Sequence, residues 1–191
     1  GPGEETAQEI RVELFDVQIG RFDPIRQTLG MPVVGSVSGT IALGYGEEWR
    51  LDGGNIELGI AGLVFGPGAI QSEMFRQFGG SVPLPATDFG NVVIRAPIEG
   101  SDVTIQQFEA SGSDVRLNAT GELQLRNPYR TSRIDLSADF QLDGAYVEEA
   151  GLGAVLGLPE VQRLQVGDGY ALAVSGPLGR PSIVPAARRS R

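Results

Sequence analysis

The 191-residue chain contains no cysteine, no histidine and no lysine. Each absence removes a block of chemistry. Without histidine no side chain titrates near neutrality at its ordinary pKa, which excludes a Ser-His-Asp triad, a histidine-ligated metal and a histidine general base. Without cysteine there is no thiol nucleophile, no thiolate zinc site and no disulfide frame. Without lysine there is no Schiff base and no phosphate-loop lysine, so transaminase, aldolase and P-loop chemistry fall as well. An enzyme built from what remains would depend on a carboxylate pair, on a serine or threonine without a conventional base, or on tyrosine. The sequence also lacks any run of about 20 apolar residues, so no part of it reads as a membrane-spanning helix or a signal peptide.

What is present is 28 glycines, 12 prolines and 8 phenylalanines, with 24 acidic residues against 15 basic ones, all arginine. The net charge of -9 argues against a nucleic-acid partner. The length suits one large domain or two small ones, and such a chain can bury roughly 70% of its extended surface without disulfides. A cysteine-free composition is compatible with cytosol and periplasm alike, and arginine without lysine matches the coding bias of a GC-rich genome. Gly1-Pro2-Gly3 reads as the remnant of a cleaved affinity tag. An anchor or signal preceding it in the full-length protein stays open.

The dominant period is two. Apolar and polar residues alternate in Ile10 to Leu14, Val103 to Ile105, Val115 to Ala119, Leu123 to Leu125 and Ile134 to Leu142, the pattern of strands with one buried and one wet face. Turn chemistry punctuates them at Asp52-Gly53-Gly54-Asn55, Glu99-Gly100-Ser101, Ser111-Gly112-Ser113-Asp114, Arg126-Asn127-Pro128 and Gly167-Asp168-Gly169. Strands joined so briefly are antiparallel neighbours. Ten to twelve strands are expected between residues 8 and 184, an all-β chain forming a long curved antiparallel meander, either an open sheet or a flattened sandwich. Residues 1–7 are expected as a disordered start, 8–184 as a single β-rich domain and 185–191 as a flexible arginine-rich tail.

Three segments break the period: Asp23 to Leu29, Ala69 to Phe78 and Ala145 to Val155. Short helices or irregular loops are expected there, plugging an open end of the sheet. They lack the basic face of an interfacial membrane helix. A pattern also recurs: Val37-Ser38-Gly39-Thr40-Ile41-Ala42-Leu43 returns as Ala119-Thr120-Gly121-Glu122-Leu123-Gln124-Leu125, and in shortened form as Val174-Ser175-Gly176-Pro177-Leu178. Either one β-rich unit was used twice, with a seam at residues 79–85, or Ser-Gly turns simply recur where strands meet.

The remaining constellations are explained without catalysis. Of Asp135, Asp139 and Asp143 the spacing puts the first two on the outward face of one strand, and Glu148-Glu149 sit in a loop or short helix, whereas a glycosidase needs two carboxylates converging in a cleft. Asp52 to Asn55, and Asp168 with Asp102 or Asp114, lack the spacing of a calcium loop. Gly44-Tyr45-Gly46 and Gly66-Pro67-Gly68 precede no patterned helix that would make a phosphate cradle. Trp49 is either an exposed stacking platform or, the favoured reading, a core residue beside Leu51. Arg188-Arg189-Ser190-Arg191 reads as a solvated tail.

Leu84-Pro85 through Phe89-Gly90-Asn91-Val92, Phe108 through Leu117, Ala119 through Pro128, Ser132 through Leu136, and the closing Asp168-Gly169-Tyr170-Ala171-Leu172 with Val174 through Pro181 resemble the type II secretion system protein N family over residues 30–184. The Ser-Gly-x-Leu-x-x-Pro ending is also similar to AsmA-like envelope proteins. The resemblance implies the periplasmic β-rich domain of a Gram-negative inner-membrane protein, anchored in full length by a segment absent here. It also implies a non-enzymatic assembly component that binds other secretion components, with no catalytic residues. The AsmA-like likeness implies the alternative, an apolar groove that holds or passes lipid. Neither metal nor cofactor is expected, and no residue is assigned to partner binding.

Overall fold

The computed structural model describes residues 8–21, 31–47, 50–71, 81–178 and 181–186. Twelve strands fill most of them: β1 (Gln8–Gln18), β2 (Val33–Tyr45), β3 (Leu51–Phe65), β4 (Gly68–Gln71), β5 (Ser81–Leu84), β6 (Thr87–Glu99), β7 (Asp102–Ser111), β8 (Val115–Gln124), β9 (Arg133–Leu142), β10 (Gln165–Val166), β11 (Gly169–Pro177) and β12 (Ser182–Pro185). Ten of these form one sheet in the order β1-β2-β3-β6-β7-β8-β9-β11-β10, with β12 also on β11, while β4 and β5 pair with each other. Every pairing is antiparallel. The sheet is open, bordered by β1 on one side and by the short β10 and β12 on the other. The all-β antiparallel meander expected from the alternation is therefore present, as an open sheet.

Four of the five expected turns join strands as read, at Glu99 to Ser101, Ser111 to Asp114, Arg126 to Pro128 and Gly167 to Gly169. The fifth is corrected. Asp52-Gly53-Gly54-Asn55 is not a turn but the start of β3, where Gly53 faces Gly44 and Glu99, and Gly54 faces Leu43 and Ile98. β2 and β3 are instead joined after Tyr45, where the Gly46 N–H donates to the Arg50 carbonyl (2.9 Å). Gly54 serves close approach: a Cβ there would run into the Ala42 carbonyl oxygen of β2.

The recurring Ser/Thr-Gly pattern has a structural counterpart. Gly39 in β2 and Gly121 in β8 sit at φ 142° and 152°, opposite Leu58 and Leu136 respectively. A Cβ on either would collide with a backbone oxygen of the following strand, Glu57 for the first and Asp135 for the second. The same residue type does the same work at both places. The sheet nevertheless runs unbroken past residues 79–85, because β3 pairs directly with β6 while β4 and β5 stand aside.

Of the three segments without alternation, 145–155 forms two short helices, α1 (Gly144–Glu149) and α2 (Gly153–Leu156), followed by α3 (Pro159–Gln162). Asp143 caps α1, its Oδ1 accepting from the N–H groups of Ala145 (2.9 Å) and Tyr146 (3.3 Å), and Pro159 opens α3 at a position that needs no N–H. Tyr146 and Leu152 bury themselves against Val82 of β5. The Tyr146 hydroxyl shares a 2.6 Å hydrogen bond with Thr87 Oγ1 at the start of β6. Residues 69–71 belong to β4, and 72–78 and 23–29 lie outside the described residues.

Replacing Gly121 by alanine is expected to lower stability by about 1–3 kcal/mol, because the added methyl must push β8 and β9 apart. Chemical denaturation checks this; an unchanged midpoint would show that the ladder relaxes around the methyl.

Candidate functional site

Antiparallel register lines up every second residue of neighbouring strands into rows. One row runs through Val17, Val37, Ile60, Val92, Ala110, Leu117, Phe140 and Tyr170. The next runs through Leu14, Gly39, Leu58, Ile94, Phe108, Ala119, Ala138 and Leu172. Both cross β1, β2, β3, β6, β7, β8, β9 and β11 with no polar side chain except the Tyr170 hydroxyl. Seven strand spacings of about 4.8 Å make them roughly 34 Å long. The opposite face carries rows such as Glu109, Asn118 and Asp139. The sheet thus has one apolar and one polar face.

Among the described residues the apolar face is not fully covered. Val92 and Ala110 in the middle strands are 1% and 2% exposed; Leu58, Leu136, Phe140 and Leu172 are partly buried, as are Ile94, Phe108 and Leu117, which pack against the Val92 and Ala110 cluster. Phe140 and Tyr170 lie flat on one another across β9 and β11, centroids 5.1 Å apart and planes 18° from parallel. The two rows form a contiguous apolar surface that is only partly covered, on a chain of net charge -9.

The two ends of the face differ. At one end the start of β6 is tied past β7 to the turn before β8. Asp88 Oδ1 accepts from the Gly90 N–H (2.7 Å), its Oδ2 accepts from Ser113 Oγ (2.9 Å) and from the Ser113 N–H (3.5 Å), and the Asp88 N–H donates to Asp114 Oδ2 (2.8 Å). The Ser113 hydroxyl, the largest influence, holds the Asp88 carboxyl below its usual pKa; burial opposes it, and the Gly90 and Ser113 N–H groups add to the lowering. A carboxylate kept ionised in this way suits an acceptor that fastens a turn rather than an acid that donates a proton. At the other end a cleft of ≈ 540 Å³ is lined by Arg50, Leu51, Asp52, Gly100, Ser101, Leu125, Arg126 and Asn127. Arg50 Nε meets Asp52 Oδ1 at 3.4 Å and Arg126 Nη2 donates to Gln124 Oε1 at 2.6 Å. Leu51 packs on the Ala96, Ile98 and Val103 cluster, so the cleft opens where the apolar face ends.

The carboxylates singled out from sequence do not converge. Asp135 stands on the polar face opposite Glu122 and Ser175, Asp139 opposite Asn118 and Ala171, and both are exposed. Asp143 is consumed as a helix cap, and Glu148 and Glu149 are exposed at the end of α1. Asp102 and Asp114 lie at opposite ends of the sheet, while Asp168 sits in the β10–β11 turn. Among the described residues no three acidic side chains gather as metal ligands, and no helix is long and apolar enough to cross a membrane. Gly44 and Tyr45 end β2, and Gly66 to Gly68 link β3 to β4. Trp49 and Arg188 to Arg191 lie outside the described residues. The Asp88, Ser113 and Asp114 network was absent from the sequence reading, which saw Ser111 to Asp114 only as a turn. No family model, curated protein or solved structure matches the chain.

The lowered Asp88 pKa sets a pH dependence. A depressed carboxylate contributes stability that is complete above its ordinary pKa of about 4 and is lost as pH falls through the folded value. Asp88→Asn is therefore expected to be less stable than the wild type at pH 7, with the difference shrinking below about pH 4. Unfolding midpoints of both proteins across pH 2–7 measure it, and a pH-independent difference would contradict the assignment.

Proposed function

We propose that the chain is a non-enzymatic binding module whose working surface is the apolar face of the long sheet, and that its ligand is the acyl portion of a lipid. The observation that supports this reading is the pair of apolar rows crossing eight strands with Leu58, Ile94, Phe108, Leu117 and Phe140 only partly buried. Methylene chains need no hydrogen-bond partner and gain about 0.8 kcal/mol for each CH₂ buried. A surface of branched and aromatic side chains supplies that without directional groups. Arg126 at the cleft, beside the Arg50–Asp52 ion pair, places positive charge at one end of the face, where an anionic head group would sit.

Lipid co-purifying with the native protein, identified by mass spectrometry, is the test. Leu136→Glu puts a carboxylate into the apolar face opposite Gly121 and Val174 and is expected to lose lipid about tenfold or more. Ser137→Glu, one residue along on the polar face, is expected to keep it. Equal lipid content in the two variants, or none in the wild type, would sink the reading.

A second reading follows from the resemblance to the type II secretion system protein N family: a structural component that binds other secretion proteins in the periplasm, tethered to the inner membrane. The open edge of β1 supports it, since an added strand can pair there through main-chain hydrogen bonds. Capture of secretion components by the purified domain from a native envelope is the expected result, and capture of none of them would count against it.

A further inference from the structure

We infer that β1 is a self-complementary edge, and that two copies of this chain join there by antiparallel pairing about a two-fold axis through Val12.

The two borders of the sheet are not equivalent. The border formed by β10 and β12 is split into segments of two and four residues, and the longer one ends at Pro185. Short edges and proline are devices that discourage strand addition. β1 has eleven residues and contains no proline, and among the described residues no strand pairs with its outer side. Its far end is closed off differently. Asp16 lies at φ 49° in a bulge between Leu14 and Val17, held by the hydroxyls of Ser36 and Ser38. That leaves the stretch up to Leu14 as the regular, pairable part.

The side chains on this stretch select one register. In an antiparallel pair, directly opposed residues lie on the same face of the sheet. Any register in which the two opposed numbers sum to an odd value would set the apolar positions Ile10, Val12 and Leu14 against the polar positions Glu9, Arg11 and Glu13, and is rejected. A two-fold through Arg11 opposes Arg11 to its own copy and Glu9 to Glu13. One through Glu13 opposes Glu13 to its own copy. One through Ile10 opposes Arg11 to Glu9, but it sets the polar Gln8 against Val12 and leaves Glu13 and Leu14 facing no described residue. A two-fold through Val12 opposes Val12 to Val12, Ile10 to Leu14 and Arg11 to Glu13, the last twice by symmetry. Both charges are then matched and the apolar positions stay on the apolar side. Ile10 and Val12, 43% and 42% exposed, gain cover. The closed two-fold consumes both β1 edges, so assembly stops at a dimer. It also sets the two apolar faces side by side.

Sedimentation of the full 191-residue chain over a wide concentration range is expected to show a reversible monomer–dimer equilibrium. Arg11→Glu and Glu13→Arg each convert both matched pairs into like-charged ones and are expected to weaken the dimer about tenfold or more. Their β2 neighbours are the uncharged Ala42 and Thr40, so the monomer fold is expected to be unaffected, as circular dichroism checks. The decisive arm is the mixture. Arg11→Glu carries acids at both positions and Glu13→Arg carries arginines at both, so an equimolar mixture restores two opposite-charge pairs and is expected to dimerise as the wild type does. A wild type that stays monomeric, single variants that dimerise unchanged, or a mixture that fails to recover would each overturn the proposal. A monomeric wild type would leave the β1 edge to a strand of another protein.

Discussion

Strand register is the constraint on which the rest of this protein depends. Because successive side chains point to opposite faces, a slip of one residue in the β7–β8 or β8–β9 pairing would set Glu109 or Asp139 against the apolar face and turn Phe108 or Phe140 toward water. The register survives places where the alternation itself breaks. Ile105 and Phe108 are three residues apart, yet both face the apolar side, because a bulge between them resets the count against Gly121 and Ala119 of β8. The same correction occurs between Ile60 and Leu63 in β3 and between Leu14 and Val17 in β1. Glycines at Gly39 and Gly121 let the next strand come close enough for the ladder to close.

A single sheet with a half-wet apolar face gains less from hydrophobic burial than a two-layered domain of the same length. The burial it has is concentrated in three places. One cluster gathers Ile19, Val33, Leu63, Val92 and Ala110, a second gathers Ala96, Ile98 and Val103, and a third sits between α1, α2 and β5 around Tyr146. Between them the rows keep apolar area that no described residue covers fully. Its burial by a ligand or a second chain would be a gain the fold has not already taken, and this is what connects the architecture to the proposed binding role. The ionised Asp88 belongs to the same economy of design: it fastens the sheet end where β6, β8 and α1 meet, and leaves the face free.

The strands and most turns were legible because both are local. Val115 to Ala119 and Ile134 to Leu142 alternate without error and are strands β8 and β9, and Glu99-Gly100-Ser101 turns as its residues predict. Asp52-Gly53-Gly54-Asn55 misled because its composition suits a turn equally well. What decides there is non-local: the Ala42 carbonyl of β2 occupies the space a Cβ would need, so glycine appears inside a strand. The Asp88 network and the Thr87–Tyr146 bond join residues 25 and 59 positions apart, and no local pattern encodes such a distance.

Composition and period alone determined the exclusion of histidine, thiol and lysine chemistry, the all-β class and the existence of one apolar and one polar face. These are properties of residue types and of their spacing by two, which every extended chain shares. Only the tertiary structure decided which strands neighbour one another, that β4 and β5 step aside so that β3 meets β6, and that the sheet stays open instead of closing into a sandwich. Those outcomes depend on pairing between segments far apart in the chain. The energy of such a pairing resides in main-chain hydrogen bonds that every residue except proline can make, so the side-chain pattern constrains the face a residue takes but not the partner it meets.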